Sequence, residues 1–321
     1  MPLPRLLALV LLATLSPARA QDVAPSNAFT LKVDSKLVAV SAIVRDKSGQ
    51  PVANLTRDDF LLEQDGVPQP IAYFSQGADL PLTLVLMVDT SGSQINFMQD
   101  EIAASRAFFP AMLTRPDDRA MLVRFASQIW MLGTLTGSVS TLDLAIDGLA
   151  PANSNIAYHG PPITRIPRPG GPGPLPRAGT VLFDTICTVS QLDLGNQLGR
   201  SAIVLLTDGG DNGSYFRLQD AIRDAQSADI MIYSIYYAHR GGGNERVLKE
   251  LSLQTGGREF IVDRKRTLQK IYASIAADLR LQYELGYRPP DAQPGTYHKI
   301  DLHARNKKLT IQARNGYFTP K

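Results

Sequence analysis

The stretch Leu82-Thr-Leu-Val-Leu-Met-Val88 is almost wholly apolar and stops abruptly at Asp89-Thr-Ser-Gly-Ser93. A short run of this kind, apolar on both faces, has to be covered on both, which is the condition of a strand in a parallel sheet between helix layers. Its polar terminus then falls at the carboxyl edge of the sheet, where ligands of open α/β sheets bind. A second such run, Ser201-Ala-Ile-Val-Leu-Leu206, ends at Thr207-Asp208-Gly209-Gly210.

The segments around these two runs alternate in period. Strands are expected over residues 120–125, 129–132, 230–236 and 259–262. Helices are expected over 99–113, 142–149, 181–192, 218–228, 247–254 and 268–281. That alternation argues for an α/β fold over residues 81–281, with a mostly parallel central sheet covered by helices. Both flanks change to β patterning. Residues 37–44, with Phe60–Glu63 and Ile71–Phe74 read as a hairpin around Asp65-Gly66, lie on one side; 282–287, 297–302 and 309–313 lie on the other. Neither flank, 21–80 or 282–321, buries much alone, so the two are read as one small β unit.

Residues 1–20 read as an export signal. An apolar core from Leu6 to Leu15 follows Arg5, and Ala18-Arg19-Ala20 forms a small-x-small cleavage site, making Gln21 the mature start. The core is well short of the ~20 residues that span a bilayer, and no later stretch approaches that length. The expected location is therefore periplasmic or secreted. Cys187 is the single cysteine, so no intramolecular disulfide forms, and it reads as a buried small residue of a helix. The net charge of +3 hides an uneven distribution: residues 263–321 carry +7 and residues 21–262 carry −6. The basic runs Arg264-Lys-Arg266 and Arg305-Asn-Lys-Lys308 lack interleaved aromatics and read as solvated faces rather than a nucleic-acid surface.

The chemistry gathers in the acidic body. Asp89, Ser91 and Ser93 put one carboxylate and two hydroxyls on the first turn, and Asp208 brings a second carboxylate to the same edge. Gly179-Thr180 places another hydroxyl at a helix start. Oxygen-only ligands suit a hard divalent cation, Mg²⁺ first, with Mn²⁺ or Ca²⁺ as the other candidates. Two carboxylates and three hydroxyls leave charge and coordination for an external carboxylate to complete.

In order, spacing and context, Asp89-x-Ser91-x-Ser93, Gly179-Thr180 and Thr207-Asp208-Gly209 resemble the metal-ion-dependent adhesion site of von Willebrand factor A (vWA) domains. The flanks, with Val44-Arg-Asp-Lys-Ser-Gly49, Asp59-Phe60, Asp65-Gly66, Gly286-Tyr287 and Ala313-Arg-Asn-Gly-Tyr317, resemble exported VWFA-related proteins typified by acidobacteria. The resemblance implies a Rossmann-like domain that binds Mg²⁺ and a protein ligand presenting Asp or Glu. It implies a non-enzymatic adhesion-type module; the other reading is an envelope scaffold whose metal site is mainly structural.

Rival chemistries lack their partners. Asp89-Thr-Ser-Gly has no second copy on a matching β lobe, as an aspartic protease requires. A hydrolase using Ser91 needs a base, and the histidines at 159, 239, 298 and 303 form no motif. Asn54-Leu-Thr56 and Asn212-Gly-Ser214 match glycosylation acceptors, relevant only in a eukaryotic secretory pathway. Residues 151–176 hold eight prolines and end just before Gly179-Thr180, so this segment is expected to frame or lid the ligand-binding face.

Overall fold

The computed structural model describes residues 37–76, 80–149, 179–192, 199–237, 243–290 and 293–319. The export signal and the Pro/Gly-rich segment 151–176 lie outside the described residues.

The two chain ends interleave. In one antiparallel sheet, β1 (Val38–Arg45) lies between β13 (Thr310–Ala313) and β11 (Tyr283–Tyr287), and β11 pairs onward with β4 (Ile71–Gln76). In a second, β2 (Phe60–Gln64) lies between β3 (Val67–Gln69) and β12 (Tyr297–Ala304), with β14 (Gly316–Phe318) beyond β12. Rings from both sheets close the core between them. Phe60 of β2 meets Phe74 of β4 at 5.6 Å and Tyr283 of β11 at 5.3 Å between ring centroids. The flanks therefore do form one small β unit.

One detail differs from the sequence expectation. Asp65 and Gly66 adopt the left-handed conformation, φ 52° and 80°, as a tight hairpin demands. The strand returning from that turn is β3, however, and not Ile71–Phe74. Pro68 and Pro70 keep the returning strand short, and β4 crosses to the other sheet.

The central sheet has the order β10-β9-β8-β5-β6-β7. Here β5 is Leu82–Asp89, β6 Arg119–Phe125, β7 Ile129–Met131, β8 Arg200–Thr207, β9 Ile230–Tyr236 and β10 Glu259–Ile261. All pairs are parallel except β6 with β7. Alternation along β5 fills both layers. Leu84, Leu86 and Val88 join the core beneath α1 (Met98–Met112), α2 (Val139–Ile146) and α6 (Leu268–Arg280). Val85 and Met87 join the core beneath α3 (Leu182–Gln191), α4 (Leu218–Ser227) and α5 (Glu245–Gln254). Cys187 is buried in the latter core. Among the described residues, no helix is long and apolar enough to cross a membrane.

Polar ties bind the β unit to this layer structure. Arg45 of β1 pairs with Asp278 of α6. Gln226 of α4 donates from Nε2 to Asn315 Oδ1 at 3.1 Å, and Gln312 Nε2 donates to the Gly256 carbonyl at 2.9 Å. Arg200, at the start of β8, donates to the carbonyls of Leu80 and Leu279 at the entrance and exit of the α/β region.

Gly257 packs against β9 so closely that a Cβ would stand 1.9 Å from the Ile232 carbonyl oxygen. Gly257→Ala is expected to cost about 1–3 kcal/mol. The check is the urea midpoint; an unchanged midpoint would mean that β10 shifts freely.

Candidate metal centre

The strand order fixes where a ligand can meet this sheet. From β5 the chain runs outward to β6 and β7, then returns to the opposite side of β5 as β8. This reversal opens a crevice at the carboxyl ends of β5 and β8, the usual ligand position in such sheets. Asp89 ends β5 and Thr207 ends β8.

Asp89 is completely buried. Its Oδ1 accepts the Ser91 backbone N–H at 2.9 Å, and its Oδ2 accepts the Thr207 hydroxyl at 2.6 Å. Its carboxyl is pushed up to about 6: burial raises it most, the bonds from Thr207 and Ser91 work against that rise, and the charge of Asp208 adds to it. A carboxylate has about four acceptor positions, so two hydrogen bonds leave Asp89 capacity for another electropositive group. The turn that follows is held from outside. Thr90 donates its N–H to the Phe125 carbonyl at 2.8 Å. The Ser91 and Ser93 hydroxyl oxygens lie 3.1 Å apart, side by side as two ligands of one centre would be.

The other two sequence candidates are positioned by their own loops. Asp208 is buried and receives the Gly210 N–H on Oδ1 at 2.9 Å, while its carbonyl accepts the Asn244 N–H at 2.7 Å. Gly209 is left-handed, with φ 75°, and a Cβ there would stand 2.6 Å from the Asn244 carbonyl oxygen. Thr180 donates its N–H to Asn212 Oδ1 at 2.7 Å and accepts the Gly213 N–H on its carbonyl at 2.9 Å. Val181, next to it, donates to the Ala126 carbonyl at 2.8 Å, which moors this segment to the end of β6. Asp89 thus ends β5, and the other four candidates stand on the turn and loops that follow at the same edge of the sheet. Hydrogen bonds link Asp89 to Ser91 and Ser91 to Ser93, while Thr207 connects Asp89 to the loop of Asp208.

The donor chemistry fits a hard cation: two buried carboxylates on one edge, hydroxyls between them, and no sulfur or imidazole among the sequence candidates. Among the described residues, no group of three or more His, Cys, Asp and Glu side chains gathers as a metal cluster. A cation here would depend on hydroxyl ligands as well as on Asp89 and Asp208. His298 has a different role, with Nδ1 lying 2.7 Å from Asp65 Oδ2 in the β unit.

Sequence reasoning missed the residues that hold the candidates in place. Thr207 was visible beside Asp208, but its bond to Asp89 depends on β8 pairing with β5. Asn212 and Ser214, which read as a glycosylation acceptor, turn inward: Ser214 Oγ accepts the Asp184 N–H at 3.0 Å, and Asp184 Oδ1 accepts the N–H groups of Tyr215 and Phe216 at 3.0 and 2.9 Å. Thr207→Val is expected to weaken divalent-cation affinity about 10–100-fold, the usual effect of losing a group that orients a ligand. Calorimetry with Mn²⁺ checks this, and unchanged affinity would assign Thr207 to packing alone.

No family model matches the chain, and no curated protein matches it. Solved structures of similar fold include a von Willebrand factor type A protein from Catenulispora acidiphila, 10% identical, with 90% of this chain and 76% of that chain covered and a TM-score of 0.48. The vWF domain of the type V pili tip protein Mfa5 from Porphyromonas gingivalis is 13% identical over 61% of this chain and 94% of its own, with a TM-score of 0.43. Proximal thread matrix protein 1 from the mussel byssus, with a zinc-occupied MIDAS motif, is 12% identical over 64% of this chain and 49% of its own, with a TM-score of 0.45. The sheet order and the hydrogen bonds of the edge, not these likenesses, carry the functional reading.

Proposed function

We propose that this edge is a vWA-type metal-ion-dependent adhesion site, and that the protein is an exported, non-enzymatic module that captures an acidic side chain of a protein partner. The observation that carries the reading is the buried Asp89 carboxylate at the end of the central strand, held by Thr207 and facing a turn that pairs the Ser91 and Ser93 hydroxyls. Asp89, Ser91, Ser93, Thr180 and Asp208 would hold a divalent cation, Mg²⁺ foremost. The ion would supply an open Lewis-acid position for a carboxylate oxygen. The sequence adds the export signal of residues 1–20 and the absence of a catalytic base motif.

The test is capture of partners from envelope and secreted fractions in Mg²⁺ and in EDTA, followed by substitution of the captured partner's acidic residues by Asn or Gln. Metal-dependent capture that fails with the neutral variants is the expected result. Capture that survives EDTA would overturn the adhesion reading in favour of a scaffold.

A further inference from the structure

The basic run Arg264-Lys-Arg266 falls, in the folded chain, on the same sheet edge as the candidate metal centre. β5, β8, β9 and β10 are parallel neighbours in that order, so their carboxyl ends face one way. Their ends are also level. Asp89 accepts the Thr207 hydroxyl, Thr207 stands opposite Tyr236 at the end of β9, and the Tyr236 carbonyl accepts the Val262 N–H at 3.0 Å. Asp263 to Thr267 follow at once and carry the chain from β10 into α6. Adjacent strands lie about 4.8 Å apart, so three spacings separate β5 from β10 by about 14 Å.

The turn is fixed by its own bonds. Asp263 Oδ1 accepts the N–H groups of Lys265 and Arg266 at 2.8 and 2.7 Å, and the Asp263 N–H donates to the Arg266 carbonyl at 3.2 Å. Lys270, in the first turn of α6, donates to the Lys265 carbonyl at 3.1 Å. Residues 263–267 and Lys270 are all exposed. Arg266 pairs with Asp263 at 3.1 Å. That leaves Arg264, Lys265 and Lys270 as three cations with no acidic partner among the described residues. The first turn of α6 holds no acidic residue. Cations at a helix start oppose the helix dipole, and the two together attract a negative charge. A turn already rigid loses little freedom when that charge arrives.

Positive charge on the edge where a partner's carboxylate would meet the metal selects an acidic segment of that partner. Nucleic acid fits less well, because no aromatic side chain lies between Val262 and Lys270 to stack a base. Glu245 opens α5 at the same edge and is exposed, so the part of the partner that spans the gap is expected to carry no acidic residue.

We propose that Arg264, Lys265 and Lys270 form a second contact for the protein partner, taking an acidic cluster about 14 Å from the carboxylate at the metal. The proposal rests on the adhesion reading of Asp89 and adds the partner's charge pattern to it. That pattern is one carboxylate, an uncharged extended span of about four residues at about 3.3 Å each, then several carboxylates.

The probes are fluorescent peptides with one aspartate, four Gly/Ser residues and a tail of three glutamates, made in both chain orders, beside matched peptides with a glutamine tail. Affinity for the full chain is read by anisotropy in Mg²⁺ and in EDTA. In Mg²⁺ the glutamate tail is expected to bind about tenfold more tightly, as three exposed ion pairs together allow, and the advantage should shrink as NaCl is raised. Arg264→Gln combined with Lys265→Gln and Lys270→Gln should bring the two tails to equal affinity and leave Mg²⁺ binding itself unchanged. Mg²⁺-dependent binding with equal affinity for both tails in the wild type would overturn the second contact alone, as would an advantage that survives the triple substitution. Binding no stronger in Mg²⁺ than in EDTA would instead overturn the metal reading on which it rests. A duplex oligonucleotide held through the turn more tightly than the glutamate tail would assign the surface to nucleic acid and overturn the proposal.

Discussion

Asp89→Ala is expected to lower the affinity for Mg²⁺ and Mn²⁺ by more than about 100-fold in calorimetry, with the native circular dichroism spectrum retained. Loss of a group that merely orients a ligand costs about 10–100-fold, and Asp89 is proposed as a ligand in its own right. The surroundings explain why the fold survives. Burial already opposes the charge of Asp89, so its removal relieves a desolvation penalty while it leaves the Thr207 hydroxyl and the Ser91 N–H without their acceptor. These effects oppose each other in stability, whereas both absent carboxylate oxygens count against metal binding. Undiminished affinity in Asp89→Ala would end the metal reading of this edge.

The second large effect is expected at the joint between the β unit and α6. Arg45 and Asp278 are paired, with the Asp278 side chain only 1% exposed. Burial raises the Asp278 carboxyl from its ordinary range, and the nearby Arg45 and Arg258 charges work against that rise. Arg45→Met removes the charge that contacts Asp278 and leaves a carboxylate in the interior, which costs about 3–5 kcal/mol in comparable sites. Urea denaturation should show that loss, and Arg45→Met combined with Asp278→Leu should recover much of it. A double variant no more stable than the single one would show that the loss arises from packing of the Arg45 stem, not from the stranded charge.

The sequence resolved the centre of the fold better than its margins, for a physical reason. β5 and β8 are apolar through their centres because both their faces are covered, and each stops where a carboxylate reaches the sheet edge. That contrast is visible residue by residue. Short elements that depend on distant partners left weaker traces. The step from β3 to β4 is encoded by Pro68 and Pro70, but which sheet β4 joins depends on β11, some 200 residues away. β14 is three residues long and exists through its pairing with β12. In the site, Asp89, Ser91, Ser93, Thr180 and Asp208 were legible as ligand types, whereas the bond that Thr207 donates to Asp89 and the one that Asn212 accepts from Thr180 appear only once the loops meet.

The interleaving of the two chain ends bears on the order in which the molecule can assemble. Val38 pairs with Tyr287 and Ala42 with Ala313, so β1 waits, with open edges, for strands made more than 200 residues later. Closing so long a loop as free chain is entropically costly, and contacts this distant in sequence slow folding. The α/β region shortens the search. Once formed, its Arg200 holds the carbonyls of Leu80 and Leu279 on one guanidinium, bringing the points where the chain enters and leaves that region together. A refolding experiment on Arg200→Met should therefore show a slower final phase reported by the aromatic cluster of Phe60, Phe74 and Tyr283, with the central sheet forming at nearly its usual rate.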